Sequence, residues 1–359
     1  MIDVERLPRL IDSGVWDAGH VQGIALDLEE SSIYFSFTTM LVKRSLDGKL
    51  LGTVEGIAGH LGCLAFNRQD KKVYASLEYK QDQIGRSIYN KLGKTDQPPV
   101  EDGFYVAIFD GSKINRAGMD AEKDGVMRTV FLPEVLADYK AEVRHGNDIL
   151  LHRYGCSGID GITFGPPFGS PNGEEKLYVA YGIYGDVMRN DNDYQIILCY
   201  DISDWGEYAE PLYQRSMSRK GPLHPDAKYF VFTGNTTYGI QNLEYDPHTS
   251  HWFCAVYRGN KTHFPNNDLY IIDGTIKPQM KRLKGIPDEW GLELQLWQQG
   301  ISHDSGIYSW QSEHGTTGLF SLGNGYFYIS HPGKNEQGQY SLVHLYRWTG
   351  VPPCPFEMV

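Results

Sequence analysis

Residues able to move a proton or hold a polar ligand sit at matching points of a short phrase that occurs five times: His20, Gln22, His60, Asp160, Gln241, His314 and Thr317. The phrase opens on a small or polar residue, passes through a polar and a small one, and runs into a short apolar stretch. It reads Gly19-His-Val-Gln-Gly-Ile-Ala-Leu-Asp27, then Gly59-His-Leu-Gly-Cys-Leu-Ala-Phe-Asn67, then Ser157-Gly-Ile-Asp-Gly-Ile-Thr-Phe-Gly165. The last two copies are Tyr238-Gly-Ile-Gln-Asn-Leu-Glu-Tyr-Asp246 and His314-Gly-Thr-Thr-Gly-Leu-Phe-Ser-Leu322. Imidazole and carboxyl groups are the usual agents of general acid and base catalysis. His20, His60, Asp160 and His314, with Tyr184 from a nearby segment, are therefore the expected catalytic set. Gln22, Glu78, Lys80, Gln241, Arg258, Lys261 and His331 are the expected substrate-binding set.

Three chemistries suit this inventory. Glycoside hydrolysis needs two flanking carboxyl groups; Asp160 is the one acid at the aligned innermost position of the phrases, and Glu78, Glu313 and Asp304 could reach the same mouth from loops. Elimination next to a uronate needs a His or Tyr base and a cation or amide to neutralise the acid, which His20, His60, Tyr184, Lys80, Arg258 and Gln241 match somewhat better. A divalent metal ion in a central channel, held by His20, His60, Asp160 and Gln241, would make a metal-dependent hydrolase, since mixed N and O ligands suit first-row metals. A Ser nucleophile finds no GxSxG, and phosphoryl chemistry finds no P-loop. The other function class is a non-catalytic module binding a glycan or a protein through its surface loops.

These residues lie far apart in the chain, so a repeated scaffold must gather them. After each phrase comes a turn and a second run rich in aromatic and β-branched residues: IYFSF, KVYASLEY, KLYVAYG, HWFCAVY and GYFYIS. Such composition fits half-buried strands. Third strands are expected at LVKRSL, YVAIFD, QIILCYD, DLYIID and SLVHLYRW, and fourth strands at LLGTVEG, MRTVFL, EPLYQRS and LELQLWQ. Four antiparallel strands repeated around an axis make a β-propeller. The expectation is an all-β, five-bladed β-propeller forming one domain over residues 1–359. The fifth unit has no fourth strand after SLVHLYRW, so residues 7–13 (LPRLIDS) are expected to close the ring and remove its open edge. In this fold the phrase lines the channel, and the loops between second and third strands share its mouth. Two longer rim segments, 80–103 and 182–193, and the stretch before blade three, 143–158, reach the same end.

Composition narrows the partners. A formal charge of −12, from 33 basic and 45 acidic residues, has the wrong sign for a protein that displaces counterions from nucleic acid. No apolar run reaches the roughly 20 residues of a membrane span, so neither nucleic acid nor membrane is an expected partner. A small carbohydrate is. The opening MIDVERLPRLIDSG has acids beside its bases and no apolar core, unlike a secretory signal. The five cysteines show no CxxC spacing and read as reduced, which favours the cytoplasm.

The five-fold pattern resembles the five-bladed propellers of several carbohydrate-active enzyme families. The phrases SFTT, GHLGCLAF, SLEYK and YRGNKTHFPNNDLYIID are similar to a bacterial propeller family of unassigned activity. The first resemblance implies a ring of blades and a carbohydrate-active enzyme, hydrolase or lyase, acting at the channel mouth. The three-acid set of the furanosidase-type propellers has no match on these innermost strands. The second resemblance implies no activity.

Overall fold

Three of the five phrases end on Asp27, Asn67 or Asp246, and that side chain turns the backbone. Asp27 Oδ1 accepts from the N–H of Glu29 at 3.1 Å, Asn67 Oδ1 from Gln69 at 2.8 Å, and Asp246 Oδ2 from Thr249 at 2.9 Å. These are Asx turns, in which a short polar side chain mimics a backbone turn. Four residues further on, Ser31, Lys71 and Ser250 adopt left-handed φ values of 51°, 59° and 60°, and the second strand begins.

A computed structural model describes residues 4–92, 101–145 and 148–359. It is the expected five-bladed β-propeller. Blade one comprises Val21–Asp27, Ser32–Phe37, Met40–Ser45 and Leu50–Glu55, and blade two His60–Asn67, Lys72–Tyr79, Gly103–Phe109 and Met127–Phe131. Blade three comprises Cys156–Gly165, Lys176–Ile183, Tyr194–Tyr200 and Ala227–Phe232. Blade four has Thr236–Asp246, His251–Arg258 and Leu269–Ile272; blade five has Leu319–Ser321, Tyr326–Asn335 and Gly338–Trp348. Within each blade, successive strands pair antiparallel. Rings from neighbouring blades interlock: Tyr74 of blade two meets Phe164 of blade three edge-on at 5.0 Å, and Tyr178 of blade three meets Trp252 of blade four at 4.5 Å.

The N-terminal closure is present. Leu10–Asp12 pairs with 342–344 of blade five, Leu10 opposite His344. The C-terminal residues share the task, because Phe356–Met358 pairs with 346–348 on the same strand.

Two fourth-strand assignments need correction. The segment EPLYQRS contributes only Glu210–Pro211, which pairs with Arg128 and Thr129 on the outer edge of blade two. The fourth strand of blade three is instead Ala227–Phe232. Its last four residues, Tyr229 to Phe232, are a continuous apolar run that packs between its neighbours, whereas proline at 211 cannot donate to a ladder and belongs at an edge. From LELQLWQ, the first three residues fall in Trp290–Leu294, which runs parallel to Ala227–Phe232 as a fifth strand on blade three. The rest of the segment runs along blade four without forming a full strand: Leu296 is bridged to Ile272, Gln295 O accepts from Asp273 N at 2.9 Å, and Trp297 N donates to Ile271 O at 2.7 Å.

The small residue in the middle of the phrase has a packing cause. A Cβ added at Gly23 would sit 2.7 Å from Leu64 N and 2.8 Å from Cys63 Cα, so neighbouring blades touch backbone to backbone at the axis. Blade four has Asn242 at that place. Its Nδ2 donates to Gln22 O at 3.0 Å and Thr316 O at 2.8 Å, and Cys63 Sγ donates to its Oδ1 at 3.2 Å. The buried Asn242 amide thereby bolts blades one, two, four and five together across the axis.

Candidate functional site

The cup is a cavity of about 770 Å³ bordered by His20, Gln22, Thr38, His60 and Tyr238 on one side. Ile84, Ile88 and Leu92 border it on the other. The apolar side belongs to helix α1, Gln83–Lys91, a feature of the rim segment 80–103. Asp82 caps it by accepting from Gly85 N at 2.9 Å. The helix presses so closely on the chain that a Cβ at Gly85 would lie 1.8 Å from Lys80 O. Residues 93–100 of this segment lie outside the described residues.

Behind His60, which borders the cavity, lie Asp160 and Glu78. His60 Nδ1 is 3.6 Å from Glu78 Oε1 and 3.8 Å from Asp160 Oδ1, with no hydrogen-bond partner among the described residues. Gln241 Nε2 donates to Asp160 Oδ2 at 3.2 Å and to Tyr238 O at 2.9 Å. Glu78, 4% exposed, accepts from Ile159 N at 3.2 Å and pairs with Lys80 Nζ at 2.5 Å. Lys80 Nζ also donates to Ser157 O at 2.9 Å and stands 3.7 Å from Asp82 Oδ2. Gly158, at φ 133°, makes room for this carboxylate: a Cβ there would sit 1.9 Å from Glu78 Oε2.

Burial governs the proton affinities. It pushes the His60 imidazole down to about 3, helped by the charge of Lys80. Burial, and then the neighbouring Glu78 charge, raises Asp160 well above the carboxylate range. Glu78 is also raised by burial, against the pull of Lys80. Lys80 would be lowered by burial alone, but Glu78 and Asp82 hold it above its ordinary value. His60 is thereby a neutral imidazole beside a carboxyl group of raised proton affinity, a pairing set by desolvation first and by like charge second.

The remaining expected residues have other settings. Tyr184 OH donates to Asp82 Oδ2 at 3.4 Å, on the flank behind the Lys80 ion pair, and its ring lies 5.2 Å from that of His152. Arg258 is an exposed partner of Asp268, with Nε and Nη2 donating to Oδ2 at 2.9 and 2.7 Å. Lys261 is buried beneath the rim loop, donating to Asn192 Oδ1 at 3.0 Å and Asp193 Oδ1 at 2.5 Å. His314 and His331 stack at 3.6 Å, with His344 tilted against His331 at 4.4 Å. They share the blade that carries Tyr346, whose hydroxyl lies 2.9 Å from His331 Nε2. Burial and the two other imidazoles lower His331 to about 4.

For a metal ion, the donors are poorly placed. Among the described residues no group of three or more His, Cys, Asp or Glu side chains converges as ligands would. Lys80 already supplies the positive charge beside Glu78 and Asp82. Among the described residues no helix is long and apolar enough to cross a membrane.

Asp82, helix α1, Asn242 and Tyr238 were not singled out from the sequence. Ile84, Ile88 and Leu92 recur every four residues, the spacing of a helix face, and Asp82 directly before that run has the chemistry of an N-cap. Those two signals were readable. No comparable pattern marks Asn242 or Tyr238.

No protein-family model matches the chain, and no curated protein matches it in sequence. Its shape is similar to that of the soluble aldose sugar dehydrogenase of Escherichia coli in its apo form, at 10% identity and a TM-score of 0.38, covering 94% of this chain and 99% of that one. The PQQ domain of pyranose dehydrogenase from Coprinopsis cinerea matches at 10% identity and a TM-score of 0.36, over 92% and 83% of the two chains. The β-propeller domain of Cps50 (Swd1) from Myceliophteria thermophila matches at 8% identity and a TM-score of 0.29, over 93% and 98%. Similarity at this level adds no argument to what the sheets themselves show.

Proposed function

We propose that the cup binds a neutral oligosaccharide and hydrolyses one of its glycosidic bonds, with Asp160 as the acid. The observation that carries this reading is the Asp160 carboxyl. Burial and Glu78 raise its proton affinity, and it lies 3.8 Å from His60, which borders the cavity. A carboxylic acid with raised proton affinity is suited to protonating a departing glycosidic oxygen. The cavity volume of about 770 Å³ falls within the roughly 300–1,000 Å³ usual for small-ligand sites.

His20, which borders the same cavity, is assigned as the base that takes the proton of the attacking water. Glu78 is too enclosed to reach a ligand and serves as a positioning residue that raises the proton affinity of Asp160. Elimination from a uronate is the second reading: it needs a cation to neutralise the acid, and Lys91 and Lys334 border the cavity. Lys80, Arg258 and Lys261 are each already paired with a carboxylate.

The test is to incubate the protein with cello-, xylo-, manno- and malto-oligosaccharides and to follow new reducing ends by chromatography. Asp160→Asn is expected to lower the rate by about 10²-fold or more, with saccharide binding and melting temperature retained. The wild-type rate should fall as pH rises through the raised range of Asp160, because the acid form is the active one. Saturable binding without product would make this a glycan-binding protein and retire the hydrolase. Neither binding nor product would end the reading altogether.

A further inference from the structure

Tyr238 is an aromatic residue held in a backbone conformation that aromatic residues avoid. Its φ is 66°, and for a bulky non-glycine residue that is a costly outlier. Lys71 and Ser31 have similar values in the tight turns between first and second strands, where the hairpin demands it, but Tyr238 lies inside the first strand of blade four. The ladder with the second strand is interrupted there, between Thr237 and Ile240. Two contacts lock the irregularity in place. Gly239, at φ 74°, lies so close to blade three that a Cβ would meet Tyr181 O at 2.4 Å, and Tyr238 O accepts from Gln241 Nε2 at 2.9 Å. Strain of this kind persists where the surroundings over-determine it, and it gathers at ligand sites.

The register of the five phrases sharpens the point. Tyr238 occupies the place held by Gly19 in blade one and Gly59 in blade two. Blades three and five have Ser157 and His314 there, and the one equivalent residue that shares the left-handed conformation is Gly19, at φ 84°, yet blade four has a large ring that remains 43% exposed. That ring borders the cavity, and among the described residues around the cup it is the one phenol. The apolar side of the same cavity is the Ile84, Ile88 and Leu92 stripe of helix α1.

We propose that Tyr238 is the stacking platform of the cup and that it selects pyranose rings with an unbroken apolar face, those whose hydroxyls are equatorial. An aromatic face and a row of sugar C–H bonds are complementary, and the phenol adds a polar tip at the wet rim. The Gln22 amide, which borders the same cavity, would then meet the ring's equatorial hydroxyls. An axial hydroxyl would interrupt the stacked face. This inference rests on the saccharide reading of the cup.

Binding of cellotriose, xylotriose and mannotriose to wild type and to Tyr238→Ala, Tyr238→Trp and Tyr238→Gly, measured by calorimetry, tests it. Wild type should prefer cellotriose and xylotriose over mannotriose. Tyr238→Ala and Tyr238→Gly should weaken the preferred ligands by about tenfold, while Tyr238→Trp retains them. Tyr238→Gly should also raise the melting temperature, because glycine accepts the left-handed conformation freely. A stabilised variant that no longer binds separates ligand contact from a structural role. Undiminished binding in Tyr238→Ala would overturn the platform and leave the cup intact. Wild type that binds none of the three trisaccharides would overturn the saccharide reading and this inference together.

Discussion

Glu244→Gln isolates the effect on which the Asp160 assignment depends, the raising of a carboxyl's proton affinity by burial. Glu244 lies on the first strand of blade four at the end away from the cup. Its Oε1 accepts from Ser321 N at 2.8 Å and its Oε2 from Thr163 Oγ1 at 3.2 Å, and burial pushes it from 4.5 up to about 8. Glutamine keeps the shape: its oxygen can accept from Ser321 and its amide can donate to Thr163. The span from 4.5 to about 8, at about 1.36 kcal/mol per pH unit, sets an upper bound of roughly 5 kcal/mol. Some contact with solvent brings the expectation to about 2–3 kcal/mol. The folded state binds this proton more tightly than the unfolded state. Wild-type stability from this group is therefore fully present below pH 4.5 and is lost as pH rises towards about 8. The variant has no such slope. Urea unfolding of both proteins at about pH 5 and about pH 9 should show near-equal stability at the lower pH and a more stable variant at the higher one. A difference that does not change with pH would refute the reasoning, and with it the basis for a protonated Asp160.

The ion pair beside the cup supports two further tests. Lys80→Met leaves the Glu78 carboxylate buried without its cation and should destabilise by about 3–5 kcal/mol; adding Glu78→Gln should recover most of that in chemical denaturation. Gly158→Ala places a methyl group 1.9 Å from Glu78 Oε2 at a φ of 133°. It should cost about 3 kcal/mol or more, and a melting temperature unchanged from wild type would show that the carboxylate is not confined as described.

The ring of blades was legible because each phrase combines two local signals that act without long-range help. One is an Asp or Asn that turns the chain at Asp27, Asn67 and Asp246; the other is the aromatic second strand that follows. Their periodic return predicts a propeller, and residues 7–13 lie where a missing strand is needed. The outer strands were less legible. A fourth strand is specified by whichever edge it reaches, and Ala227–Phe232 and Trp290–Leu294 joined blade three through contacts that no local pattern encodes.

The same division holds at the site. Spacing within the phrase by itself brought His20, Gln22, His60, Asp160 and Gln241 to one end of the axis, because a repeated strand register places equivalent residues at equivalent heights. Only the tertiary structure decided their roles. Whether Lys80 meets a ligand or a buried Glu78, whether Lys261 faces the rim or locks it from beneath, and which carboxyl keeps its proton all depend on burial and on partners from other blades. Desolvation and Coulomb interactions act through space, over a few ångströms between residues that the chain keeps far apart.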